Sequence, residues 1–223
     1  MTVVAHVLWI ARKGVLAIFA AVVVMLSVAG QSAAVESVDS PRSGNSTARV
    51  GVPSPAEFVA QAREAGLSGE KAAALQAKVD DYLVKLQGQG TQISPNRIDM
   101  DGAELIVTVP GEMRPRQLDH ATGTVPRPGC MNLSETWTPA EYGWFCAFRY
   151  ENGIGDIVAM YHCGNYHIPW FSTGSWWNNQ TTGTRPTLYF VVGSGQPPWR
   201  MPASFSAQYH GVDWSPVNTI TNC

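Results

Sequence analysis

All four cysteines of this 223-residue chain lie between residue 130 and the last residue, together with seven of its eight tryptophans. An even number of cysteines confined to one segment predicts two disulfide bonds, formed in an oxidising compartment. Three pairings are open. We favour bonds from Cys130 to Cys146 and from Cys163 to Cys223, because both ends of the segment would then be attached to its sheet. Each bond would stabilise the fold by about 2–4 kcal/mol.

The segment 130–223 consists of short β-prone runs separated by Gly, Pro and Asn, with no convincing helical period. This pattern predicts an antiparallel sandwich of short strands. The β-prone runs are Trp144 to Tyr150, Ile157 to His162, one that begins or ends at Trp176-Trp177, Thr187 to Val192, and Ser204 to His210.

Residues 53–110 predict a small αα-ββ unit. Ser54-Pro55-Ala56-Glu57 has the spacing of a capping box with proline at the first helical position, and Ser68 can cap a second helix. Asp101-Gly102 suits the tight turn of a hairpin between two short strands. A unit of this size without disulfides is only marginally stable when it folds by itself. We therefore expect it either to pack on the C-terminal domain or to act as a pro-region that assists folding.

The first 34 residues have the features of a secretory signal peptide. Arg12 and Lys13 precede an uncharged apolar run over residues 14–29, and small residues lead to a predicted cleavage site after Ala34. The competing interpretation is an uncleaved anchor helix, although the run is shorter than the roughly 20 residues that span a bilayer. We expect cleavage and secretion, with no membrane attachment afterwards.

Two further segments show no sustained period and are predicted to be linkers. Residues 35–52 are rich in Ser, and residues 111–129 carry arginines and three prolines. In the second linker, the bond after Arg116 is the best candidate for trypsin-like processing, because the other arginines precede proline. The predicted domains are a signal peptide (1–34), a linker (35–52), an α+β unit (53–110), a linker (111–129) and a β domain (130–223).

Charge and motif spacing argue against several classes of function. A net charge of −2 provides no concentrated basic surface for a nucleic acid. The three histidines of the β domain, with Asp156 and Asp213 as partners, lack the order and spacing of a catalytic triad. His162, Cys163 and His167 match no standard zinc pattern. We therefore predict a non-catalytic protein without metal or cofactor.

Several motifs of the β domain occur together. They are Phe145-Cys146-Ala147-Phe148, a glycine-containing turn, a β run ending at Cys163, and Gly174-Ser175-Trp176 followed by Asn178-Asn179. With these motifs, roughly residues 130–192 resemble the peptidase inhibitors of family I36, secreted actinobacterial proteins similar to the Streptomyces metalloproteinase inhibitor. This resemblance implies a βγ-crystallin-like Greek-key fold and inhibition of an extracellular peptidase.

The chain departs from the family pattern in two places. The Greek-key signature has a second aromatic residue where this chain has Gly153, five residues after Phe148. The paired positions that bind calcium in that fold correspond to Trp170 and Phe171, whose rings offer no oxygen ligand, so no calcium site is expected. The family's cysteine-flanked reactive loop has no recognisable counterpart.

Seven tryptophans exceed what so small a core is expected to bury. Trp176 and Trp177 would point to opposite faces of a strand, so at least one of them is predicted to be exposed. Exposed indoles mark binding surfaces. The alternative is that the tryptophans only cover the edges of the sandwich. The predicted contact surface consists of Trp170, Trp176, Trp177, Asn178, Asn179 and Thr181.

Two functions are compatible with this predicted surface. The first, implied by the family resemblance, is occlusion of an extracellular peptidase by surface loops. The second is a cell-wall or carbohydrate-binding module, in which indoles stack on sugar rings and the neighbouring amides and hydroxyls supply hydrogen bonds.

Overall fold

The computed structural model describes residues 53–118, 129–131 and 140–223. The predicted signal peptide, the first linker and residues 119–128 of the second linker lie outside the described residues. All described residues belong to one compact unit, Arg49–Cys223. None of the helices within them is long and apolar enough to cross a membrane.

Two helices open the described chain, where the capping signals predict them. Helix α1 (Pro55–Glu64) begins with the predicted capping box, in which the Ser54 hydroxyl accepts from the Glu57 amide and the Glu57 carboxylate accepts from the Ser54 amide. Helix α2 (Gly69–Lys85) is capped by Ser68. The buried side chains of both helices join the core that also covers the sheet.

The strands of the described residues form two antiparallel sheets, which confirms the predicted mainly β fold with a small helical unit. The strands are β1 (Thr91–Ser94), β2 (Arg97–Asp99), β3 (Ala103–Ile106), β4 (Trp144–Tyr150), β5 (Ile154–Met160), β6 (Asn165–His167), β7 (Thr173–Asn179), β8 (Thr187–Phe190), β9 (Trp199–Arg200), β10 (Ser206–Asp213) and β11 (Val217–Thr221), with a 3-10 turn, Glu151–Gly153, between β4 and β5. The larger sheet has the order β1-β2-β3-β5-β4-β7-β10, and the smaller has the order β6-β11-β8-β9.

The hairpin of β2 and β3 links the N-terminal helices to the C-terminal strands in one sheet. Strand β3 pairs with β5, with Leu105 opposite Val158. The turn between β2 and β3 is the predicted Asp101-Gly102, with φ of 54° and 105°. Residues 53–110 therefore pack on the C-terminal strands, which is the first of the two expectations for this unit.

Both disulfides have the favoured pairing. Cys130 is bonded to Cys146 in β4, and Cys163 is bonded to Cys223, with Cα atoms 5.7 and 5.3 Å apart. The second bond joins the chain just before β6 to its last residue, which follows the neighbouring strand β11. Two such bonds are typical of proteins from an oxidising, extracellular setting.

The seven-stranded sheet carries buried side chains on both faces. Leu105 and Val107 belong to the main core cluster, whereas Ile106 between them belongs to a second cluster around the Cys130–Cys146 bond. This is the alternation that the period of two predicts for the strand. A sheet covered on both faces can bury more aromatic area than a sandwich with one covered face per sheet.

Gly174 in β7 lies where two segments approach closely. A Cβ at this position would overlap with the Trp214 indole nitrogen and the Phe148 carbonyl oxygen, which are joined by a hydrogen bond of 2.8 Å. We expect Gly174→Ala to lower the free energy of unfolding by about 1–3 kcal/mol, the usual cost of overpacking. Urea denaturation followed by tryptophan fluorescence measures this loss. Gly69→Ala is the control, because a Cβ there contacts nothing, and equal losses in the two variants would contradict the expectation.

Candidate functional site

The residues predicted to form a contact surface are mostly buried. Trp176 and Trp177 expose 2% and 7% of their surface, so the prediction that at least one of them is exposed is wrong. Trp170 and Asn178 are buried as well. Only Asn179, which is half-buried, and Thr181, which is exposed, keep contact with solvent.

The cover on both faces of the larger sheet explains why the adjacent tryptophans are buried. Trp176 points into the main core, where its ring lies 6.0 Å from that of Phe145. Trp177 points to the opposite face and packs edge-on against Phe148 at 5.6 Å, in the second core cluster. The two indoles do point to opposite faces as predicted, but both rings are covered apart from an edge of Trp177.

Other aromatic and aliphatic side chains are exposed instead. Trp199 is exposed, whereas Trp214 is fully buried and packs against Trp170. Trp137 lies outside the described residues. The emphasis on tryptophan missed other apolar side chains that are exposed, most of them in loops. The most exposed are Val192, Phe171, Val84, Met113, Tyr142 and Phe205.

Three connections meet at one end of the smaller sheet, and we call them the loop end: residues 168–172, 191–198 and 214–216. The Trp214 amide donates to the Ser172 carbonyl at 2.9 Å, and the Val191 amide donates to the Pro216 carbonyl at 2.8 Å. Residues 214–216 therefore hold the other two connections side by side. The 191–198 loop is the hairpin connection between β8 and β9, which pair directly below it.

The loop end presents apolar side chains to solvent. Phe171 is 79% exposed and Val192 is fully exposed, each on one of the two outer connections. None of the loop-end residues carries a charge. The 191–198 loop is folded on itself by a hydrogen bond from the Ser194 amide to the Val191 carbonyl at 3.1 Å. The loop end is therefore an uncharged surface with exposed apolar side chains, and backbone hydrogen bonds hold its three connections together.

A second exposed feature is a cavity of about 330 Å³ between the ends of β7 and β10, which we call the aromatic pocket. Its aromatic walls come from Phe205, Tyr209 and the edge of Trp177. The ring centroids of Trp177 and Tyr209 are 5.1 Å apart in an edge-to-face arrangement. Of the predicted site residues, the pocket contains three. The full lining is Trp177, Asn178, Asn179, Phe205, Ser206, Ala207 and Tyr209.

A buried charge network around Asp156 joins helix α2 to the larger sheet. The Lys78 ammonium and the Thr108 amide each donate to Asp156 Oδ1 at 2.7 Å. Tyr82 donates to Oδ2, and Arg149 donates to the same oxygen at 3.1 Å. Asp156 is fully buried, whereas Lys78 and Arg149 reach the surface with part of their side chains.

The charges of this network shift the pKa values of its members. Burial acts to raise the pKa of Asp156, but the charge of Lys78 and the hydrogen bonds from Lys78, Tyr82 and the Thr108 amide outweigh it and hold the pKa below its ordinary value. Burial and the nearby Asp156 charge raise the pKa of Tyr82. A carboxylate with a lowered pKa, held by two cations, is suited to fastening α2 to the sheet rather than to proton transfer.

The three histidines of the predicted β domain have different surroundings. The His162 ring lies 4.6 Å from that of Tyr161, and His210 Nδ1 is 3.7 Å from Glu151 Oε2. Burial lowers the pKa of His167 despite its hydrogen bonds with Asn218. Within residues 53–118, 129–131 and 140–223, no group of three or more His, Cys, Asp or Glu side chains could hold a metal ion.

The chain matches no family model, no curated protein and no solved structure. Its function is therefore inferred from the loop end and the aromatic pocket, two surfaces of the described residues where apolar side chains are exposed.

Proposed function

We propose that this chain is a secreted, non-catalytic protein that inhibits an extracellular peptidase by placing the loop end in the peptidase cleft. The observation that supports it best is Val192, an apolar side chain that is fully exposed on a short hydrogen-bonded hairpin loop. An exposed valine adds nothing to the core of its own fold. In the cleft of a peptidase it would fill an apolar side-chain pocket.

The base of the loop end makes it suited to occlusion rather than to cleavage. Strand β8, which leads into the 191–198 loop, pairs with β11, and the Val191 amide donates to the Pro216 carbonyl at the base of the loop. A loop that is held in its bound conformation loses little conformational entropy on binding. Phe171 on the adjacent connection extends the apolar contact beyond a single loop. Such a multi-loop surface can approach the roughly 800 Å² per partner of a specific complex.

Two observations from the sequence agree with this proposal. The motifs between residues 130 and 192 resemble the I36 inhibitors and their crystallin-like fold, and the N-terminal segment has the pattern of a signal peptide. A peptidase outside the cell would be the partner, with no nucleic acid involved. Both disulfides suit that environment.

Substitution of Val192 tests the proposal. The purified protein is titrated against a panel of extracellular metallo-, serine and cysteine peptidases, with residual activity as the readout. We expect near-stoichiometric inhibition of at least one peptidase. Val192→Asp should raise the inhibition constant at least about thirtyfold, the factor for a hot-spot loss of about 2 kcal/mol, because a carboxylate would be buried in an apolar pocket.

Val84→Asp is the matched control, since it places the same substitution on an equally aliphatic, exposed side chain in α2. It should leave inhibition unchanged. The proposal fails if no peptidase of the panel is inhibited at a molar excess of the protein, or if Val192→Asp inhibits as well as the unmodified chain.

A further inference from the structure

Phe205, at the rim of the aromatic pocket, has a backbone conformation that its residue type disfavours. Its φ is +63°, in the left-handed region where a bulky side chain is an outlier. The other non-glycine residues with positive φ among the described ones are Gln87, Asp101 and Asn152, which lie at a helix end and in turns. Strained positions of this kind persist only where the surrounding structure enforces them, and they cluster at functional sites.

Neighbouring hydrogen bonds enforce the conformation of Phe205. Its amide donates to the Asn178 carbonyl at 2.7 Å, and the preceding Ser204 amide donates to the Thr184 carbonyl at 2.9 Å. The Ser204 hydroxyl also accepts from the Gly183 amide at 3.0 Å. The chain thus fixes an aromatic residue in a costly conformation, yet 63% of that residue stays exposed. Burial of the ring does not account for this arrangement.

The shape of the pocket follows from the alternation along β10. Ala207 and Tyr209 are two residues apart in β10, so their side chains lie on one face of the strand. Phe205, just before β10, lines the same cavity. The small Ala207 stands opposite Trp177 of β7 and leaves a recess between the two larger rings. Two aromatic rings on either side of a small residue form a slot for a flat, ring-shaped ligand.

The lining indicates the chemistry of that ligand. Among the described residues that line the pocket there is no Lys, Arg, His, Asp or Glu. Asn179, Ser206 and Tyr209 bring amide and hydroxyl groups next to the aromatic rings. An uncharged site with apolar faces and polar edges matches a neutral sugar ring, which has C–H groups on its faces and hydroxyls on its rim. The cavity volume of about 330 Å³ lies within the range of ligand sites.

We propose that the aromatic pocket binds a neutral pyranose ring of an extracellular polysaccharide, with Phe205 and Tyr209 as its stacking platforms. This site is separate from the loop end. Strand β7 begins at Thr173, beside the 168–172 connection, and ends at Asn179 in the pocket, and seven residues of strand span roughly 20 Å. No residue of the loop end lines the pocket, and sugar binding does not depend on the proposed inhibition.

The experiment uses the full secreted chain and defined probes. Insoluble cellulose, chitin and xylan are tested for retention, and cellohexaose, chitohexaose and xylohexaose are titrated by calorimetry. We expect retention on at least one polysaccharide and its displacement by the matching hexaose. Titration of the free hexaose distinguishes recognition of a soluble oligosaccharide from recognition of the polymer surface.

Phe205→Gly is the decisive variant, because glycine adopts positive φ without strain. It should melt at the same temperature as the unmodified chain or higher, and still lose affinity for the probe by at least about tenfold. Tyr209→Ala should lose affinity similarly, whereas Tyr150→Ala, an exposed aromatic at the other end of the β4–β7 pair, should not. Retention on no polysaccharide, failure of the hexaose to displace the protein, or unchanged binding by Phe205→Gly would each overturn the proposal. Peptidase inhibition is measured on the same samples, and its presence or absence decides nothing about the pocket.

Discussion

The chain that consists of residues 130–223 alone is expected not to reach a stable disulfide-bonded fold. Half of the buried residues in the main core cluster come from residues 53–118, including Leu75, Val79 and Leu105. Each fully buried aliphatic side chain contributes about 1.5–3 kcal/mol. In the shorter chain, the core side chains of residues 130–223 would lose this cover, and a whole domain is stable by only roughly 5–15 kcal/mol.

The missing strands would also leave β5 with an unpaired edge. Residues 103–106 of β3 pair with residues 157–160 of β5, so removal of β3 exposes a row of backbone groups along an apolar strand. Such an edge promotes aggregation. The defect therefore affects both stability and solubility.

Free-thiol titration, intact mass and thermal unfolding of the 130–223 chain measure this effect. The control is the chain 53–223, which should have no free thiols and unfold cooperatively. Cleavage after Arg116 in the folded protein provides a second test, because residues 53–116 should remain bound to the rest of the chain through the β3–β5 pairing. If residues 130–223 alone form both disulfides and unfold at the temperature of the control, the interpretation is wrong.

Asp156→Asn is expected to lower the free energy of unfolding by about 3–5 kcal/mol at pH 7, as when one member of a buried ion pair is removed. The substitution removes the charge that compensates Lys78 and Arg149, and its amide cannot accept all of the hydrogen bonds that now end on the carboxylate. Urea denaturation at pH 7 measures the difference. Asp81→Asn is the matched control, because Asp81 forms an exposed ion pair with Lys85 whose loss should cost at most about 1 kcal/mol.

The pH dependence gives an independent test of the same network. Because the pKa of Asp156 is lower in the folded protein than in the unfolded chain, its contribution is present at neutral pH. That contribution decreases as the pH falls below the unfolded value of about 3.9 and through the lower folded value. The difference in stability between the unmodified chain and Asp156→Asn should therefore shrink between pH 7 and pH 3. Parallel profiles for the two proteins would contradict this assignment.

Local patterns in the sequence predict much of the architecture. The caps at Ser54 and Ser68, the turn at Asp101-Gly102 and the strand around Trp144 to Tyr150 all depend on residues close together in the chain. The disulfide pairing could also be favoured from the sequence, because it attaches both ends of the segment 130–223 to its sheet. Capping, turn geometry and alternation act over a few residues, so a single sequence contains them in full.

The sequence does not predict where the exposed surfaces lie, because that depends on which distant segments cover each face of the sheet. Trp176 and Trp177 alternate as predicted, but their burial follows from cover supplied by distant parts of the chain. Asp156 looks like any surface carboxylate until the fold brings Lys78, from a helix 78 residues earlier in the chain, to its oxygen. Residue types and their spacing determine the helices and strands, the helix caps and the presence of disulfide bonds. Only long-range packing decides that Trp170, Trp176 and Trp177 are buried and that Val192 and Phe205 are exposed. The physical reason is that burial depends on neighbours from distant parts of the chain, which the local sequence does not contain.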